Sequence, residues 1–229
     1  MAAGLLGDLG AEVIKIERRE SGDPMRGIMD VFFQSERNPQ YETINRNKRG
    51  MVLDLGKQEG REVVHKLAQK SDVFLHNFRS RAANRLGLDY ETLSRLNPRL
   101  VYAQASAWGL RGPDSEKPGF DAAAQARAGI MYLVGEPGVA KPRQVPPMAL
   151  SDMSGALCLA LGIVAALQAR ERLGRGQMVD TSIFGSTITL ATWAVTFTLS
   201  CGVDPTLHPR ATVDQPLYYF YECADGEWI

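Results

Sequence analysis

The chain has 229 residues and a mass of 25.1 kDa, with 26 Lys and Arg against 26 Asp and Glu and a pI near 6.8. Hydrophobic residues make up 45% and charged residues 23%, enough apolar surface to offset the ordering entropy of one large or two small globular domains. A net charge of zero excludes a nucleic-acid binder driven by bulk electrostatics, though it leaves room for a local basic pocket.

The apolar start is broken at Asp8 and has no basic region before it, so it reads as a helix over 2–9 rather than a signal peptide. Residues 11–17 (AEVIKIE) alternate at period two, as a half-buried strand does. Three further short apolar runs follow at 51–55 (MVLDL), 72–76 (DVFLH) and 100–104 (LVYAQ). Between them lie a helix over 57–70, with Val63, Val64 and Leu67 on one face, and another over 90–96, stopped by Asn97-Pro98. Apolar strands separated by amphipathic helices predict an α/β fold, a parallel, Rossmann-like sheet covered by helices.

Residues 120–133 predict one Ala-rich helix, followed by a Gly/Pro-rich loop from Gly135 to Pro147. A second helix over 151–172 is apolar on most faces, as expected of packing on more than one side. Its apolar run, 155–167, is shorter than the ~20 residues a bilayer needs. A strand is expected at 177–180, and the uncharged stretch 181–203 reads as a buried helix rather than a membrane span. Pro205, Pro209 and Pro216 then mark a loop, and the last residues read as a strand, a turn and the beginning of another strand. There is no repeat and no low-complexity segment. Both ends read as cut, so the expected organisation is a Rossmann-like domain over 1–203 lacking its first strand, with a linker and the beginning of a small domain over 204–229. The cysteines Cys158, Cys201 and Cys223 lie far apart and fit no metal-ligand spacing; they read as reduced thiols in a cytoplasmic protein.

Familiar catalytic patterns are missing. There is no Walker-type phosphate loop and no nucleophile elbow, and the glycines at 4, 7 and 10 have the wrong spacing for a dinucleotide fingerprint. His65 belongs to an amphipathic helix and His208 to the Pro-rich tail. His76 ends a strand, where ligands bind in α/β sheets, although a structural role outweighs a catalytic one. Asp152, at the start of the apolar helix, allows two readings. It is an N-cap, or it is a carboxylate kept ionised by the helix dipole and able to attack an activated acyl group. Two polar clusters adjoin strands: Asn45-Arg46-Asn47-Lys48-Arg49, and Asn77-Phe78-Arg79 with Arg85 about two turns on. Such groups suit phosphate and amide recognition, or simply line solvated loops.

In order along nearly the whole chain, several segments resemble the class III coenzyme A transferases, the CaiB/BaiF family. They are the stretch 7–17, Gly22-Asp23-Pro24, the cluster 45–49, Asn77-Phe78-Arg79, Arg85-Leu86-Gly87, the stretch 97–102, Gly112-Pro113, Pro118-Gly119-Phe120-Asp121 and Gly174-Arg175-Gly176-Gln177. The resemblance implies transfer of CoA from an acyl-CoA thioester to a carboxylic acid through a covalent aspartyl intermediate at Asp152, with Asp121 in support. It implies Lys48, Asn77 and Arg85 along the coenzyme, with Arg46 and Arg79 as weaker candidates. CoA and acyl-CoA would be substrates, with no tightly bound cofactor and no metal. The partners it implies are an acyl-CoA, an acceptor acid and a second copy of the chain in an interlocked homodimer, with neither nucleic acid nor membrane.

The same family includes α-methylacyl-CoA racemases, whose histidine stands just before the acidic residue matched by Asp121. Phe120 occupies that position here and carries no proton, which favours acyl transfer. A shortened, non-catalytic CoA-binding relative is a third expectation.

Overall fold

A computed structural model describes residues 1–27, 38–135, 141–143, 145, 149–202 and 220–229. Helix α1 (Ala2–Asp8) leads into β1 (Val13–Glu17), and α2 (Pro39–Asn45) leads into β2 (Lys48–Val52). Then come α3 (Gln58–Lys70), β3 (Val73–His76), α4 (Ser80–Leu86), α5 (Tyr90–Leu96) and β4 (Val101–Ser106). The second half holds α6 (Asp121–Arg127), α7 (Ile130–Leu133), α8 (Leu150–Leu173), β5 (Met178–Ser182), α9 (Ile183–Leu190) and α10 (Thr192–Cys201).

Among the described residues the pairs between these strands are all parallel. β4 lies between β3 and β5, and β1 pairs with β2. β4 is buried from Val101 to Gln104 because helices cover both faces, as a central parallel strand requires. Alternation divides its side chains between two cores. Tyr102 packs with Val64, Ala68, Leu88, Leu93 and Leu100, while Ala103 packs with Ala2, Leu159, Ala160 and Ile163. Among the described residues the two ladders do not join. A cavity of about 2150 Å³ lies between them, lined by every residue of β1 and of β3.

The α/β class and most expected elements are present, with four differences. β2 begins at Lys48, so Lys48 and Arg49 belong to a strand rather than to a loop before it. Pairing of Val13 with Lys48 extends the ladder beyond the apolar run, because backbone hydrogen bonds do not depend on side-chain hydropathy. The helix expected over 120–133 is broken at Gly129, whose φ of 79° suits the left-handed region that glycine tolerates.

The stretch 181–203 is not one buried helix. Its first residues finish β5, the Ser182 hydroxyl caps α9, and α10 turns away by 74° with no buried residue. Residue 203 lies outside the described residues, as does most of the Pro-rich loop that follows. Finally, α2 and α4 had no apolar periodicity to reveal them. α2 is started by Pro39 and by the Asn38 side chain, which accepts from the Tyr41 N–H. Residues 220–229 form a turn closed by an antiparallel bridge between Glu222 and Trp228. By length and composition α8 could cross a bilayer; here it packs against α1, α6, α9, β4 and β5.

The carboxyl end of β1 is tied down by charge. Glu17 accepts from the Arg26 guanidinium at 3.0 and 3.1 Å, from the Tyr41 hydroxyl at 2.9 Å and from the Asp23 N–H at 3.1 Å. Arg26 is the main reason that its carboxyl is held down at about 2. His76 shows the opposite influence, since burial pushes its imidazole down to about 4 and keeps it neutral.

Ile163 is fully buried at the centre of its cluster. Ile163→Ala is expected to cost about 2–5 kcal/mol by urea denaturation. Acid should act in two windows. Unfolded His76 takes up a proton near 6.5 and folded His76 only near 4, so stability falls by up to roughly 3 kcal/mol as pH drops between them. The Glu17 contribution is present above 4.5 and is lost on acidification toward about 2. His76→Phe should flatten the upper window and leave the lower one unchanged, a difference that denaturation midpoints measured from pH 7 to pH 2.5 would reveal.

Candidate active site

Parallel strands point their carboxyl ends to one side, where ligands bind in α/β sheets. On that side β3 ends at His76, β5 runs through Thr181 to Ser182, and α8 begins. Gly155 lets α8 lie against Ile183 behind its first turn, since a Cβ there would stand 3.0 Å from the Ile183 Cγ2. Asp152, Met153, Gly155, Thr181 and Ile183 thereby border the same cavity as His76, Asn77 and Arg85.

The start of α8 is served by a carboxylate from another helix. Asp121 Oδ1 accepts from the Ser151 N–H at 2.7 Å and from the Asp152 N–H at 3.2 Å. Its Oδ2 accepts from the Gln125 side chain at 2.6 Å. Gln125 is fully buried, and its Oε1 accepts from the Val145 N–H at 3.2 Å. Free N–H groups at a helix N-terminus favour an anion, and Asp121 supplies it. Asp152 is therefore not the N-cap. It is the third residue of α8, and among the described residues its side chain has no hydrogen-bond or ion-pair partner. The residue is exposed at the cavity edge, and partial desolvation there, reinforced by the Asp121 charge, pushes its carboxyl up from the ordinary value.

Of the five cationic and amide candidates, three border the cavity. Lys48, the first residue of β2, donates to the Ile44 carbonyl at 2.6 Å and to Asn45 Oδ1 at 3.1 Å; its ammonium is pushed down by burial and by the charge of Lys15. Asn77 follows β3 with an exposed side chain, and Arg85 stands in the last turn of α4. Arg79 is exposed at the N-cap of α4, outside the cavity lining. Arg46 is bound instead by Asp8, to which its Nε donates at 2.9 and 3.0 Å. The structure thus brings Lys48, Asn77, Arg85 and Asp152 to one cavity, with Asp121 touching Asp152 from behind.

Gln125 was missed by sequence reasoning, although its spacing of four from Asp121 on a helix is a readable signal. Among the described residues no group of three or more His, Cys, Asp or Glu side chains is placed to hold a metal ion. All three cysteines are free.

The whole chain, residues 1–229, matches CoA-transferase family III. The protein belongs to that family. It is 36% identical to (R)-2-hydroxy-4-methylpentanoate CoA-transferase of Clostridioides difficile, covering 99% of this chain and 57% of the relative. It is 38% identical to acetyl-CoA:oxalate CoA-transferase of Acetobacter aceti over 80% of this chain and 46% of that one. The crystal structure of a CAIB/BAIF family protein from Brucella suis superposes with a TM-score of 0.88 at 33% identity, covering 99% of this chain and 60% of its own. This family III chain spans about half the length of the curated relatives it matches.

The two aspartates should respond oppositely to replacement. Asp121→Ala removes the cap of α8 and is expected to cost about 0.5–2 kcal/mol. A carboxyl whose pKa is raised in the fold destabilises it once pH rises through that value. Asp152→Asn should therefore raise the melting temperature at pH 7 slightly, because solvent screens an exposed carboxyl, with a still smaller gain at pH 4. Calorimetric melting at the two pH values checks both.

Proposed function

We propose that this chain carries the nucleophile and part of the coenzyme surface of an enzyme that moves CoA from an acyl-CoA thioester to a carboxylic acid. The observation that carries the reading is the Asp152 carboxylate, which borders the cavity without a partner among the described residues while Asp121 occupies the helix N–H groups beside it. A carboxylate of raised basicity is, when ionised, a better nucleophile toward an acyl carbon than an ordinary one.

In this mechanism an Asp152 oxygen bonds to the thioester carbonyl carbon. The C–S bond breaks, leaving a mixed anhydride and CoA thiolate. The thiolate then attacks the Asp152 carbonyl carbon, releases the first acid as its carboxylate and forms an aspartyl-CoA thioester. An acceptor carboxylate attacks that thioester, forming a second anhydride and freeing the thiolate. Attack of the thiolate on the new acyl carbon gives the product acyl-CoA and restores Asp152. No proton is gained or lost overall, and the thioester bond energy is retained.

Asn77 and Arg85 would take the amide and phosphate groups of the coenzyme, with Lys48 adding charge deeper in the cavity. Arg79 would contribute at the rim, and Arg46 could do so only by releasing Asp8. The relatives are named for several acids, among them 2-hydroxy-4-methylpentanoate and oxalate, so hydroxy and dicarboxylic acids are the acceptors to screen. Phe120, three-quarters exposed beside Asp121, offers no proton for racemisation.

Exposed apolar side chains on two helices support self-association. Leu157, Leu161 and Val164 on α8 and Trp193, Phe197 and Leu199 on α10 are all exposed, the last helix by up to 82% at Trp193. A second copy of the chain covering these side chains is part of the proposal, as is the cytoplasmic setting.

Incubation with an acyl-CoA and hydroxylamine should place a hydroxamate on Asp152, detectable by peptide mass. Asp152→Ala should lower CoA exchange by about 10³-fold or more while leaving CoA binding within a few-fold. An active Asp152→Ala variant, or turnover with no trapped Asp152, would overturn the reading.

A further inference from the structure

We infer that His76 is a positioning residue: together with Tyr102 it clamps both ends of α4 and so aims Asn77 and Arg85 into the cavity. That these two side chains then meet coenzyme A rests on the function proposed above; the clamp itself does not.

The proton arrangement follows from the bonds. His76 Nδ1 accepts the Phe78 N–H at 3.0 Å, so that nitrogen carries no proton. In the neutral ring the proton is then on Nε2, which donates to the Tyr102 hydroxyl oxygen at 2.7 Å. The Tyr102 O–H in turn donates to the Leu88 carbonyl at 3.0 Å. One tautomer satisfies all three contacts.

Those contacts bracket α4. Phe78 precedes the helix by two residues and Leu88 follows it by two. The Phe78 carbonyl is held as well, by the Gln104 side chain at 3.2 Å, and Gln104 is the register partner of His76 across the β3–β4 ladder. At the far end the Gly87 carbonyl is bonded by His65 Nε2 at 2.8 Å. His76 and Tyr102 are both buried, and the His76 ring stacks on Phe78 at 5.4 Å.

The helix between these anchors has seven residues and buries only Ala83. So short a helix does not hold itself in water, and one buried alanine fixes its direction poorly. Its orientation comes from its ends. Asn77 lies between His76 and the anchored Phe78, and Arg85 lies two and three residues before the anchored Gly87 and Leu88. A relay in the sheet interior thus sets the directions of two cavity-lining side chains that it does not touch.

Three variants test this: His76→Phe, which keeps an aromatic ring but removes both nitrogens; His76→Asn, whose Oδ1 can still accept the Phe78 N–H; and Tyr102→Phe, which removes the hydroxyl between His76 Nε2 and the Leu88 carbonyl but leaves the His76–Phe78 bond. Two measurements are made on each folded variant, hydrogen exchange across residues 78–96 and calorimetric binding of coenzyme A. In His76→Phe, exchange at Phe78 and through α4 should rise about tenfold while α5 is unchanged. The coenzyme dissociation constant should rise by a similar factor, the size of one lost hydrogen bond. His76→Asn should restore protection at Phe78 and most of the affinity, and Tyr102→Phe should loosen the Leu88 end more than the Phe78 end, which keeps its bond to His76 Nδ1. The last two variants carry the test if His76→Phe fails to fold.

Exchange in α4 within twofold of the parent overturns the clamp. Loosened exchange with unchanged coenzyme affinity overturns the positioning role. If the parent protein does not bind coenzyme A, the proposed function falls, and the exchange data still decide whether the clamp exists.

Discussion

The site depends on one ion–dipole contact. Asp121 places its carboxylate on the N–H groups of Ser151 and Asp152 at the start of a 24-residue helix. A helix N-terminus attracts a negative charge, and without Asp121 the nearest candidate would be Asp152 itself, folded back as a cap. With that demand met from outside, the Asp152 side chain is left unspent beside the cavity. The same neighbour also raises its basicity, because two carboxylates this close resist being ionised together. One residue thus frees the candidate nucleophile and sharpens it, and buried Gln125 keeps that residue in place.

The parallel sheet supplies the rest. Its strands deliver His76, Thr181 and Ser182 to one side, where β-to-α turns leave backbone and side chains free for a ligand. The buried strand β4 is the rigid element to which that side is referred. Tyr102 on one of its faces reaches the loop around α4, and Ala103 on the other packs under α8. Motion of α4 and motion of the Asp152 turn are therefore both measured against a single strand. The charged knot around Glu17 performs a similar service at the end of β1, next to the same cavity.

Much of this was legible before any coordinates. One period-two run, three short apolar runs and the stretch 177–180 marked the five strands, four of them nearly in place, and the apolar run of α8 announced a helix packed on several sides. Asp152, Asp121, Lys48, Asn77 and Arg85 could be singled out by type and by family resemblance. Where the reading slipped, the cause was physical. Lys48 and Arg49 joined a strand because ladder bonds use the backbone. A lack of charge over 181–203 looked like burial, yet α10 lies open, since hydropathy says that a surface avoids water and not what covers it. α2 and α4 escaped because caps and tethers, rather than an apolar stripe, hold them.

Local order along the chain was thus determined by the sequence itself: periodicity, capping residues and glycines act over a few positions and need no distant partner. The pairing of Asp121 with Asp152, 31 residues apart, was decided only by the tertiary structure. So were the reach of Tyr102 to both His76 and Leu88, and the capture of Arg46 by Asp8. Each is a contact between segments remote in sequence, whose strength depends on a few tenths of an ångström and on the exclusion of water, and neither quantity exists until the helices have closed over the sheet.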